Sequence, residues 1–106
     1  MKMLRLLGCP VVQAPGEAEA QCVELVKGGK AHAVATDDMD ALTFGAKKMY
    51  MQFKGKKDPV TEISLQPLLE ELGLTMEEFI DFCILCGCDY TGTITSTKLL
   101  IFEILR

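Results

Sequence analysis

The apolar positions of this chain change period as it is read from one end to the other. Met3, Leu4 and Leu7 fall at helical spacing, and Gly8 can close that turn. Pro10-Val11-Val12-Gln13 reads as a short strand, confined by its proline to a first strand position or an edge. Pro15 then sits where a helix tolerates proline, in the first turn. The predicted helix runs to about Lys27, with Cys22, Val23, Leu25 and Val26 as its apolar part, and Gly28-Gly29 stops it. Ala31 to Thr36 is short, mostly apolar and bounded by glycine and acids, the pattern of a buried parallel strand. Strand, helix and strand in that order predict a βαβ unit. His32 falls inside the strand pattern and reads as a core or sheet residue. Met49 to Phe53 alternates and predicts a further strand, and Val60 to Ile63 a short edge strand.

Helix signals dominate the second half. Ser64 can cap a helix that ends at Leu72, before Gly73. Thr75 and Glu78 form a capping box. The helix it opens, Glu77 to Cys86, is apolar nearly all round, which predicts burial. Gly87 ends it, and Lys98 to Leu105 predicts a last, weaker helix. The fold class is α/β, a partial, mostly parallel sheet flanked by helices.

Composition narrows the classes. The 106 residues carry 49% hydrophobic and 25% charged side chains, a globular balance in a length that suits one small domain. No apolar run approaches the roughly 20 residues that cross a bilayer, so no membrane partner is expected. The start shows no secretory signal, and five cysteines, an odd number, predict reduced thiols inside a cell. The net charge of −4 argues against gripping nucleic acid by bulk charge.

The carboxylates change that picture. Glu17 and Glu19 lie at the start of a predicted helix, directly after a strand. Asp37, Asp38 and Asp40 follow the next strand, and Asp89 lies just past the apolar helix. Ligands of open α/β sheets bind beyond the carboxyl ends of strands. Asp38 and Asp40 are two apart, so in an extended segment both can reach one ion. Glu17 and Glu19 can share a site only if Glu17 lies on an irregular lead-in to its helix, which spacing leaves open. Acids in a first helical turn also favour the dipole and need no other reason, and acids in loops are commonly solvated. As a set, clustered carboxylates repel and are costly to bury unpaired, and a divalent cation removes that cost. Hard oxygen donors suit magnesium or manganese, and two such ions serve phosphodiester hydrolysis.

Three stretches are more specific. Val11-Val12-Gln13-Ala14-Pro15-Gly16-Glu17-Ala18-Glu19-Ala20-Gln21-Cys22, Ala35-Thr36-Asp37-Asp38-Met39-Asp40-Ala41-Leu42-Thr43-Phe44-Gly45 and Cys83-Ile84-Leu85-Cys86-Gly87-Cys88-Asp89-Tyr90 resemble, in order, three acidic motifs of the flap endonucleases of the XPG family of structure-specific nucleases. The resemblance covers about Leu4 to Tyr90. It implies a PIN-like nuclease domain, of which this is the second half, and a magnesium-dependent enzyme that cuts 5′ flaps in DNA replication and repair. It carries the metal site onto Glu17, Glu19, Asp38, Asp40 and Asp89, with two Mg2+ ions in the intact site and Mn2+ as a substitute, and leaves Asp37 outside it. Branched or flapped DNA is the implied partner and the nucleus the implied location.

The chain also departs from the family pattern. Residues 1–90 read as the internal part of the nuclease domain without the N-terminal region, its further aspartates and the helical arch. Residues 91–106 read as a degenerate start of the helix–two-turn–helix region, since Thr91 to Lys98 lacks the glycine–proline turn. No sliding-clamp motif follows Arg106. A sheet so incomplete implies a partner chain covering it. The alternative expectation is therefore a truncated remnant that binds metal or a protein without cleaving DNA.

Other features fit simpler roles. Cys83 and Cys86 lie late in an apolar helix, Cys88 follows just past its end, and the only histidine, His32, is distant, so they read as core thiols rather than a zinc or redox site. Lys47, Lys48, Lys54, Lys56 and Lys57 form the dense basic stretch and read as a solvated hairpin, with phosphate contact as the alternative. Without the five site acids, ten acidic residues face eleven basic ones, a balance of +1. The acidity that weighs against nucleic acid is the proposed metal site itself.

Overall fold

The computed structural model describes residues 1–52 and 59–92. In chain order the elements are α1 (Lys2–Leu6), α2 (Ala18–Lys27), β1 (Val34–Ala35), α3 (Asp40–Thr43), β2 (Lys48–Met51), β3 (Thr61–Ser64), α4 (Leu65–Leu72) and α5 (Met76–Cys86). The sheet order is β1-β2-β3. β1 runs parallel to β2 with Val34 opposite Met49, and β2 runs antiparallel to β3 with Met49 opposite Ile63. Met49 thus sits at the centre of the sheet and is fully buried. α2 packs on β1 and α3, α3 on α5, and α4 on β3. The core they enclose holds Val23, Val34, Leu42, Met49, Leu69 and Phe79.

Local chemistry sets the helix ends. Gly73 closes α4 in the left-handed conformation, φ +66°, where a side chain would be strained. At the start of α5 the Glu78 N–H donates to Thr75 Oγ1 at 3.3 Å, and the Thr75 N–H donates to Glu78 Oε2 at 2.8 Å. The capping box is therefore complete. These bonds hold the Glu78 carboxyl below its ordinary range. Thr75→Ala removes the cap and is expected to cost about 1 kcal/mol, read as a lower urea midpoint with unchanged slope.

Several sequence expectations change. Pro10 to Gln13 forms no strand: a ladder needs a neighbour, and among the described residues none pairs with it. The predicted βαβ unit therefore lacks its first strand. α2 starts at Ala18 rather than at Pro15, because Gly16 favours a loop and Glu17 is extended, ψ 127°. β1 keeps only two residues of the six predicted. His32 lies outside it and is exposed, so it is neither a core nor a sheet residue. The last strand lies one residue later than predicted, and α3 was not signalled at all.

The largest difference is the burial of α5. Only Phe79 of this helix is buried, while Ile84 and Leu85 are 45% and 41% exposed. Its apolar pattern demands partners on several sides, and the described residues cover one. α1 carries exposed Met3, Leu4 and Leu6 in the same way. Lys54 to Lys57 and the predicted helix Lys98 to Leu105 lie outside the described residues. No described helix is long and apolar enough to cross a membrane.

Candidate metal centre

The turn after β1 is built by its own side chains. The Thr36 N–H donates to the Tyr50 carbonyl at 3.0 Å and extends the parallel ladder. The Asp38 N–H donates to Thr36 Oγ1 at 3.1 Å, and the Asp38 carboxylate accepts the Asp40 N–H at 3.0 Å. These bonds turn the chain from strand into α3 and place Asp38 and Asp40 at the carboxyl end of β1, where α/β sheets hold ligands. Asp37 takes another path, accepting the Gln52 N–H at 2.8 Å. It ties the turn to the end of β2, a structural use consistent with leaving it outside the site.

Glu17 is the N-cap of α2 and Glu19 lies in its first turn. The extended backbone of Glu17 supplies the irregular lead-in that the two-residue spacing required. Both acids also face the positive end of the helix dipole. Asp89 follows α5 on the exposed 88–91 turn, where Cys88 and Thr91 form an isolated bridge.

The electrostatics join these places. Asp40 is half-buried, and its carboxyl is raised above the ordinary range by burial first, then by the charges of Asp38, Asp89, Glu19 and Glu17. All five predicted acids thus act on one neighbourhood, and no positive side chain stands among the charges that shift Asp40. Tyr90 joins the group. Its ring is 63% exposed. Its phenol is pushed up to about 12 by desolvation first, and by the nearby carboxylates of Glu17, Asp89 and Asp40. Sequence reasoning missed this role, although Tyr90 directly follows Asp89. A mostly apolar cavity of about 280 Å³ opens beside Asp40, walled by Phe44, Ile80, Ile84 and Tyr90.

Among the described residues, no three His, Cys, Asp or Glu side chains are gathered tightly enough to hold a metal ion. Repulsion among like charges spreads such a set. The chemistry of the set still fits a divalent cation: five hard carboxylates, one of them disfavoured as an anion by the other four. Cys83 and Cys88 line the cavity beside Asp40. All five cysteines are free thiols, and burial pushes Cys83 up to about 11, which keeps it an inert, half-buried thiol. Of the lysines, Lys48 pairs with Glu62 at 3.2 Å on the surface.

Residues 8–89 match the XPG I-region family. The chain is 56% identical over 94 residues to flap endonuclease 1-2 of Paramecium tetraurelia, covering 89% of this chain and 24% of that protein. It superposes on the flap endonuclease-1 structure from Methanococcus jannaschii with a TM-score of 0.81 at 31% identity, over 98% of this chain and 35% of that one. It also superposes on the Holliday junction-resolving enzyme GEN1 in complex with product DNA and a Mg2+ ion, with a TM-score of 0.66 at 32% identity, over 74% of this chain and 21% of that one. The chain therefore spans about a quarter of the length of the curated relatives it matches.

Proposed function

Because this chain belongs to the XPG I-region family, we propose that it supplies the second half of the metal centre of a magnesium-dependent, structure-specific DNA endonuclease of the 5′-flap type, working in DNA replication and repair. The observation that carries the reading is the placing of the five acids at the lead-in to α2, the turn after β1 and the turn after α5, with the Asp40 carboxyl raised by burial first and then by the charges of the other four. Glu17, Glu19, Asp38, Asp40 and Asp89 would hold the ions, two in the complete site. Bound magnesium supplies an activated water and stabilisation of the leaving oxygen in phosphodiester hydrolysis. The chain's own residues do the positioning. The bond from Asp40 N–H to Asp38 fixes both aspartates at the end of β1. Flapped or branched DNA is the substrate class, in keeping with the product DNA in the GEN1 complex.

A second reading has its own support. Since no three donors are gathered among the described residues, the chain by itself would meet a cation with at most two of these side chains, or take a partner that completes the site, without cutting. One experiment separates the two: cleavage of a labelled 5′-flap DNA by the 106-residue chain with Mg2+, compared with Asp38→Ala. The nuclease reading expects a loss on the order of 10²-fold or more in the variant and no cleavage in EDTA. Equal rates in both proteins, or cleavage without metal, would sink it. Metal binding without turnover decides for the second reading.

A further inference from the structure

A larger cavity, about 580 Å³, shares Phe44 and Ile80 with the one beside Asp40 but holds none of the five site acids. Its floor is two helical ridges: Leu65 and Leu69 of α4, and Met76 and Ile80 of α5, each pair spaced four residues apart. Such ridges leave a groove between them that the side-chain ridge of another helix can enter. Two ammonium groups line it, Lys27 and Lys47, and no carboxylate does. The stem of Lys27 crosses beside Gly45, where an added Cβ would meet Lys27 Cε at 3.4 Å. Lys27 pairs with Glu24 at 2.8 Å, but both side chains are largely solvent-exposed, so the pair is readily shared. Lys47 is exposed and makes no side-chain hydrogen bond or ion pair among the described residues.

We propose that this groove docks a short amphipathic polypeptide helix whose apolar face carries flanking glutamates or aspartates. The apolar floor takes the helix's ridge, and Lys27 and Lys47 take its acids. A nucleic acid fits less well, because its affinity rests on many phosphate contacts and on stacking, and this groove offers two cations and one ring, Phe44. The inference is independent of the metal centre and stands or falls without it.

The test is fluorescence anisotropy on the 106-residue chain with a labelled synthetic helix about four turns long. It has leucines at i, i+3, i+4 and i+7, flanked by glutamates in one version and by lysines in the other. The glutamate peptide should bind saturably. The Lys27→Glu/Lys47→Glu variant, with its folding checked by circular dichroism, should weaken it at least about tenfold and bind the lysine version more tightly instead. No saturable binding, or equal binding of the two peptides, overturns the proposal. Displacement of the peptide by sodium laurate or oligothymidylate at lower concentration than by unlabelled peptide also overturns it, in favour of a lipid or nucleic-acid site.

Discussion

Leu42→Ala is expected to cost about 2–5 kcal/mol, the range for deleting a fully buried leucine side chain. Leu42 is 0% exposed and belongs to the buried cluster that joins Val23 of α2, Val34 of β1, Met49 of β2 and Phe79 of α5. α3, which carries it, packs on both α2 and α5. The cavity left by truncation would therefore open between elements that have no other common anchor of that size. Domains of this length have about 5–15 kcal/mol in all. With much of α1 and α5 uncovered, this chain belongs at the low end, and one such loss is most of it. Urea denaturation followed by circular dichroism should show the midpoint falling by on the order of 1–2 M or the fold lost outright. Leu85→Ala is the matched control. Leu85 is 41% exposed on the uncovered face of α5, so its truncation should change stability by no more than about 0.5 kcal/mol. If the two variants lose equally, the core is not where it has been placed.

That contrast marks what the sequence discloses and what it does not. α4 and α5 were legible nearly to the residue because their signals are local: Gly73 closes α4 and the Thr75/Glu78 box opens α5, whereas Ser64 stands at the N-cap of α4 but its hydroxyl bonds Glu62 instead of capping. Strands were less legible because a strand exists only against a neighbour. Pro10 to Gln13 has the composition of a strand without a described partner, and of Ala31 to Thr36 only Val34 and Ala35 are paired strand residues, with one more bond from the Thr36 N–H. The apolar circumference of α5 predicts burial, and only Phe79 of it is buried, because a pattern cannot say whether what would cover the helix lies in the same stretch of chain.

The motifs point to the acids, and the extended N-cap at Glu17 meets the condition that the two-residue spacing of Glu17 and Glu19 set for sharing a site. The supports of those acids were not legible. The Asp37 to Gln52 bond joins residues far apart in sequence, and neither residue pattern announces its partner. Asp37 shows the consequence: in sequence it is one of three neighbouring acids, whereas in the fold its carboxylate is committed to β2.

Asp40→Asn should make the metal-free chain more stable and at the same time reduce its response to magnesium to about a third. The carboxyl of Asp40 is raised above its ordinary range in the fold, so the folded chain holds that proton more tightly than the unfolded one. Stability therefore falls as pH rises from the ordinary carboxyl range through the raised folded value, and stays reduced above it. Asparagine keeps the shape and cannot ionise. Its metal-free melting temperature at pH 7 should exceed the wild type's by about 2–4 °C, and its pH dependence across that window should flatten. A cation that binds only the folded state adds about 1.4 kcal/mol at ten times its Kd, which for a domain of this size is about 5–10 °C. With affinity lowered tenfold in Asp40→Asn, the same magnesium concentration adds about 0.4 kcal/mol. Melting curves of both proteins with and without MgCl2, at matched ionic strength in KCl, separate specific binding from screening. A metal-free variant less stable than wild type would show that Asp40 is held by partners rather than strained by its neighbours. An undiminished magnesium response would remove Asp40 from the metal centre, and with it the group on which the other four acids converge.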